Sequence, residues 1–111
     1  MAELAITRAI LHEINQIPGV FAWENLSTGN VVNGRVVRRH GFQISGTSDI
    51  IACVHGFFVA LEVKLPVRRS NTSKAQKAFI EKVRRCGGVA EIVCSTTEAR
   101  EIINGLGNRK K

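Results

Sequence analysis

Three charged residues sit in the most apolar stretch of this 111-residue chain. From Ser48 to Lys64 the sequence reads SDIIACVHGFFVALEVK: mostly apolar and β-branched, with Asp49 near its start and Glu62 and Lys64 at its end. An ionised side chain on a buried strand is costly unless it is paired, hydrogen-bonded or bound to a metal. If His55-Gly56 forms a two-residue hairpin turn, Val54 pairs with Phe57 and Asp49 falls directly opposite Glu62. Lys64, two residues on, shares their face. Directly opposed residues have Cβ atoms about 4.5–5.5 Å apart, and like charges so placed are destabilising. A slip of one residue would send Asp49 to the other face. Lys64 can neutralise only one carboxylate. A divalent cation suits the pair better, because Mg²⁺ accepts one or two carboxylates with waters and phosphate oxygens completing its shell. Such a centre fits phosphodiester hydrolysis, in which the metal polarises the phosphoryl group and acidifies a water. The lysine would steady the attacking water and the developing charge. The competing reading is a cross-strand salt-bridge cluster at a sheet end.

Further residues favour a reacting centre. Gln76 lies on the apolar face of a helix about one turn before Phe79. A buried amide needs partners, and a carboxylate, a lysine or a bound water would supply them. Glu3 and Glu13 both fall within the apolar stripe of the first helix, so either can be the carboxylate that this helix turns inward. Basic residues bracket the stretch: Arg35, Arg38 and Arg39 before it, Arg68, Arg69, Lys74 and Lys77 after it. Groups of that kind hold phosphates on either side of a scissile bond.

Charge points the same way. The net charge is +7, and it is unevenly spread: residues 1–63 carry −1 and residues 64–111 carry +8. A basic half on a small domain suits a polyanion, most often nucleic acid. With 44% apolar and 23% charged residues, the composition is that of one ordinary globular domain spanning 1–111. No apolar run approaches the ~20 residues of a membrane helix, and no secretory signal is visible. The odd set Cys53, Cys86 and Cys94 lies in apolar contexts and reads as small buried hydrophobes of a reducing, cytoplasmic compartment. Cys53-x-His55 lacks the second ligand pair of a zinc site.

The elements that must position these groups are legible in outline. Residues 3–17 read as a helix, with Ile6, Ile10, Ile14 and Ile17 on one face and Pro18-Gly19 as its stop. A strand at 20–23 follows, then a polar stretch, then a hairpin over 31–37 turned by Asn33-Gly34. Strands at 50–54 and 57–65 come next, and a basic loop at 67–73. A second helix over 73–86 presents Ala75, Phe79, Val83 and Cys86 inward and ends at Gly87-Gly88. A strand at 90–94 leads to Ser95-Thr96-Thr97-Glu98, a capping box opening a last helix that ends near Gly105. Residues 106–111 form a frayed tail. The order α, β, hairpin, β, β, α, β, α describes an α/β domain with a central mixed β-sheet flanked by helices.

At these residues the sequence resembles a known family. Asp49 followed by Glu62-Val63-Lys64 resembles the core motif of PD-(D/E)xK nucleases. The fuller pattern resembles the stand-alone VRR-NUC domain proteins of phages and bacteria. It comprises Glu3 in an N-terminal helix, Gly46-Thr47-Ser48-Asp49-Ile50-Ile51, Ala60-Leu61-Glu62-Val63-Lys64, Gln76-x-x-Phe79 and Gly87-Gly88. Ser48 precedes Asp49 in place of proline, and Glu24 stands where the pattern suggests an arginine.

The resemblance implies a restriction-endonuclease-like core. It implies Mg²⁺ or Mn²⁺ held by Asp49, Glu62 and the backbone carbonyl of Val63, with Lys64 as catalytic lysine and Gln76 and Glu3 in support. It also implies a homodimer that cuts branched DNA such as a four-way junction, in the cytoplasm of a bacterial or phage-infected cell. The apolar residues Val20, Phe21 and Trp23 and the 31–37 hairpin are candidate dimer or core material. Two other readings stand beside this one: a basic, non-catalytic nucleic-acid-binding module, and a restriction-type nuclease, for whose target-reading domain the chain has little room.

Overall fold

The computed structural model describes residues 2–26, 30–32, 35–37 and 44–107. Helix α1 spans Ala2–Ile14 and leads into strand β1, Val20–Glu24. A separate hairpin pairs β2 (Asn30–Val32) with β3 (Arg35–Val37), Val32 facing Arg35 across two residues. Asn33-Gly34 itself lies outside the described residues, as do Arg38, Arg39, Ser27-Thr28-Gly29 and the side chain of Arg35. Strands β4 (Ile50–Val54) and β5 (Phe57–Val63) follow, then a 3₁₀ turn at Pro66–Arg68. Helix α2 (Lys74–Arg85), strand β6 (Val89–Val93) and helix α3 (Thr96–Leu106) complete the chain.

The main sheet runs β1-β4-β5-β6, with β1, β4 and β5 antiparallel in turn and β5 and β6 parallel. The mixed sheet flanked by helices is therefore as the sequence suggests. β5 is central and, from Val59 to Val63, buried on both faces, which is why Phe57 to Leu61 reads as a continuous apolar run. Its odd-numbered residues Val59, Leu61 and Val63 join Ile10, Ile14, Ile50, Val54, Ile103 and Leu106 in the larger core, under α1 and α3. Ala60 on the opposite face meets Ile51, Ala90 and Ile80 under α2.

Several boundaries and faces differ from expectation. α1 ends at Ile14 because Asn15 leaves the helix to clasp strand β1: its amide donates to the Ala22 carbonyl at 3.0 Å and accepts from the Ala22 N–H at 2.9 Å. α2 buries Ile80 most deeply, with Phe79 and Val83 only partly covered and Cys86 exposed as its C-cap. Ala60 and Ala90 are small, so Ile80 is the side chain that fills the space above them. Cys53 is exposed and Cys94 half-buried, so the three free thiols are not the buried hydrophobes expected. Cys53 lies on the α2 side of β4, where the sheet is open, near exposed Phe21 and Phe58. Leu106 is no part of a tail: it is a buried residue of α3, and of the expected tail 108–111 lie outside the described residues.

Both free sheet edges are occupied by side chains. The Asn15 amide takes the Ala22 backbone groups on β1, and the Arg84 Nε donates to the Ala90 carbonyl on β6 at 3.0 Å. Occupied edges resist strand addition from another chain.

Candidate active site

The hairpin that carries the carboxylates turns as its sequence requires. His55 and Gly56 have φ of 50° and 85°, the paired left-handed conformations of a type I′ turn. Val54 pairs with Phe57, Ala52 with Val59 and Ile50 with Leu61. One step further places Asp49 across from Glu62. Both residues, and Lys64, alternate onto the α2 side of the sheet.

Asp49 sits at the bend just before β4, and its Oδ2 accepts from the Val63 N–H at 2.8 Å. The carboxylate thus replaces a backbone carbonyl at the end of the β4–β5 ladder. In an antiparallel pair the N–H and C=O of one residue point to the same side. The Val63 carbonyl consequently shares the strand edge that faces Asp49. Upstream, Asn25 fixes the bend from β1: its N–H donates to the Asp49 carbonyl at 2.8 Å and its Nδ2 to the Ser48 carbonyl at 3.0 Å. Gly46, with φ 74°, packs so closely on the first turn of α2 that a Cβ would overlap the Ala75 carbonyl.

Glu62 is 3% exposed. Its Oε2 accepts from Gln76 Nε2 at 2.8 Å and lies 3.7 Å from Lys64 Nζ. Its Oε1 is buried and has no hydrogen-bond partner. Burial, and then the negative charge of Asp49, push the Glu62 carboxyl up from 4.5 to about 7; the Lys64 charge only partly opposes them. The pair is therefore electrostatically frustrated as it stands. An orphaned buried carboxylate oxygen beside a second carboxylate fits a cation of the Mg²⁺ class, for which two carboxylates and a carbonyl suffice. Among the described residues no group of three or more His, Cys, Asp or Glu side chains is disposed to hold a metal. A cation here would accordingly rely on two carboxylates, a backbone carbonyl and solvent or phosphate oxygens.

Gln76 serves two ends at once. As the N3 residue of α2 it completes a capping box with Ser73: its N–H donates to the Ser73 hydroxyl, and its Oε1 accepts from the Ser73 N–H at 3.0 Å. The same Oε1 accepts from Lys64 Nζ at 3.3 Å while its Nε2 holds Glu62. One amide thereby ties the helix start to Glu62 of β5 and to Lys64 just beyond it.

Glu3 approaches from the other side, its Oε2 accepting from the Leu65 N–H at 3.3 Å just beyond β5. It lines a cleft of about 270 Å³ together with Glu24, Asn25 and Asp49. Glu13 is not the inward carboxylate: it pairs with Arg100 of α3 at 3.2 Å, half-exposed.

The basic residues are more dispersed. Arg68, Lys74 and Lys77 are exposed. Arg69 turns to α3, where its guanidinium meets both Glu98 oxygens at 3.0 and 3.4 Å. Arg69 and Lys77 line a cleft of about 480 Å³ against β6, a different place from the Asp49–Glu62 pair. Glu98 was expected to complete a capping box, but its Oε1 accepts from the Cys94 N–H rather than from Ser95; the Ser95 hydroxyl alone caps α3. Asn25 is the site residue that sequence reasoning passed over; its one signal is an amide placed directly after a strand. Compared with protein-family models and with curated proteins, the chain matches none.

Proposed function

We propose that the chain is a metal-dependent, structure-selective DNA endonuclease with a restriction-endonuclease-like core, acting on branched DNA such as four-way junctions. The observation that carries this reading is the buried Glu62, with an unpartnered oxygen, set against Asp49 and contacted by Lys64 and Gln76. A pure salt-bridge cluster would pair the buried carboxylate through its oxygens, whereas Glu62 Oε1 is left without a partner. In this reading Asp49, Glu62 and the Val63 carbonyl would hold Mg²⁺ or Mn²⁺, which would supply Lewis-acid polarisation of the phosphoryl group and lower the pKa of a water. Lys64 orients the attacking water and offsets the charge growing on the phosphate. Gln76 holds Lys64 and Glu62 in register, and Glu3 and Asn25 fix the strand ends. Arg35, Arg38, Arg39, Arg68, Lys74 and Lys77 supply phosphate contacts.

Junction resolution needs two symmetric cuts, so the active species is a homodimer with two sites related by a twofold axis. Three free thiols suit a reducing compartment, the cytoplasm of a bacterial or phage-infected cell. Among the described residues no helix is long and apolar enough to cross a membrane. The test is a panel of linear, flap and four-way-junction DNAs incubated with Mg²⁺ or Mn²⁺. Paired cuts near the junction centre are expected; binding of every substrate without cleavage of any would leave only a basic binding module.

A further inference from the structure

The face of the sheet that carries Asp49 and Glu62 continues beyond them into an exposed aromatic row. Phe21, Trp23 and Phe58 are 68%, 44% and 46% exposed, unusual for large apolar side chains on a sheet. The register places Trp23 beside Ile51 and Phe21 beside Cys53, with Phe58 on the far side of Cys53. The row thus crosses three adjacent strands and begins one strand over and two residues along from Asp49, a step of about 8 Å. The Phe21 and Trp23 ring centroids stand 5.4 Å apart with their planes tilted by 46°, a contacting aromatic pair that remains substantially exposed. A groove of about 360 Å³ adjoins Phe58 and carries Lys82 on its rim.

We infer that Phe21, Trp23 and Phe58 form a stacking platform for unpaired bases next to the phosphodiester presented to Asp49, Glu62 and Lys64. The inference rests on the nuclease reading for the identity of that phosphodiester. It narrows the substrate to DNA with single-stranded or unstacked nucleotides beside the cut. Paired bases hide their faces in the helix stack, whereas unpaired bases expose a face that aromatic rings bind with little sequence preference. Attraction for the backbone comes from the basic half of the chain, residues 64–111 with a net +8, which includes α2 and places Lys82 in the groove beside Phe58.

Trp23 is the single tryptophan of the chain and reports directly on the platform. Its emission is titrated with an oligo-dT of about ten nucleotides and with a duplex of equal length, in EDTA so that nothing is cut. Quenching by the single strand and not by the duplex is expected. Trp23→Ala and Phe58→Ala should each weaken single-strand binding about tenfold while leaving duplex binding unchanged. Trp23→Phe should retain most of the affinity, and unchanged melting temperatures confirm that the variants fold. Absent quenching with unaltered affinities overturns the platform. So does a blue shift of Trp23 emission with rising protein concentration and no DNA, coupled to a dimer that Trp23→Ala dissolves, because a second copy would then occupy the face. The two readings separate cleanly. Quenching without cleavage in Mg²⁺ or Mn²⁺ sinks the nuclease and keeps the platform, whereas cleavage without quenching does the reverse.

Discussion

Replacing Glu62 by glutamine should make the metal-free protein more stable at neutral and alkaline pH. The carboxyl titrates near 7 in the folded chain against 4.5 when unfolded. The folded state therefore holds the proton more tightly, and stability falls as pH rises between those values. The contribution is fully present below 4.5 and lost above about 7. At 1.36 kcal/mol per pH unit the interval amounts to ~3 kcal/mol. Glutamine keeps the shape and can still accept from Gln76, while Lys64 retains the Gln76 oxygen. The attraction of Lys64, 3.7 Å away, is already contained in the value of about 7. A net gain of ~3 kcal/mol at pH 8 follows, or roughly 12 °C in melting temperature for a domain of this size. The assay is thermal unfolding of both proteins in EDTA across pH 5–8. The Glu62→Gln advantage should grow with pH and shrink to about 1 kcal/mol at pH 5. Millimolar Mg²⁺ should then raise the melting temperature of the wild type at pH 8 and leave Glu62→Gln unchanged. A variant less stable than wild type at pH 8 would refute the reasoning, since Glu62 would then be a net stabilising partner of Lys64.

Two further substitutions probe the supports. Gln76→Ala removes both the capping box and the bridge, and should cost about 1 kcal/mol by denaturant unfolding together with most of the cleavage rate. Gln76→Glu preserves the cap but sets a third carboxylate against Glu62, and should recover the stability at pH 5 and not the activity. Gly46→Ala forces a side chain into the Ala75 carbonyl at a left-handed φ, and should destabilise by roughly 3 kcal/mol in the same unfolding assay, displacing the Ser48–Asp49 bend. Asn25→Ala leaves the Ser48 carbonyl without its side-chain donor, and should lower cleavage while melting within about 2 kcal/mol of wild type.

The part of the site that was legible is the part encoded by local rules. His55-Gly56 is short and permissive enough to dictate a two-residue turn, and the period of two then carries Asp49, Glu62 and Lys64 to one face. Gln76 could be placed from helical spacing alone. What the sequence concealed depends on which half of the sheet a helix covers. α2 lies over β5 and β6, so Ile80 is buried while Cys53, Phe21 and Trp23 on β1 and β4 are left open. Hydropathy cannot separate an open sheet face from a covered one when both are apolar. The clamps Asn15–Ala22 and Asn25–Ser48 were hidden for a related reason: an amide's partner is set by where two elements meet, not by its neighbours in the chain. Glu13 and Glu3 share one helical stripe, and only the position of Arg100 on α3 distinguishes the rim carboxylate from the inner one.

The central claim is that Asp49, Glu62 and Lys64 act together on a phosphodiester bond. Its most direct test is the rate at which one labelled four-way junction is cut in Mn²⁺ by the wild type and by Asp49→Asn, Glu62→Gln and Lys64→Ala. Junction affinity is measured for the same preparations in EDTA. The account predicts cleavage by the wild type, a loss of at least a hundredfold in each variant and affinities within a few-fold of one another. Cleavage at wild-type rates by all three variants would contradict it.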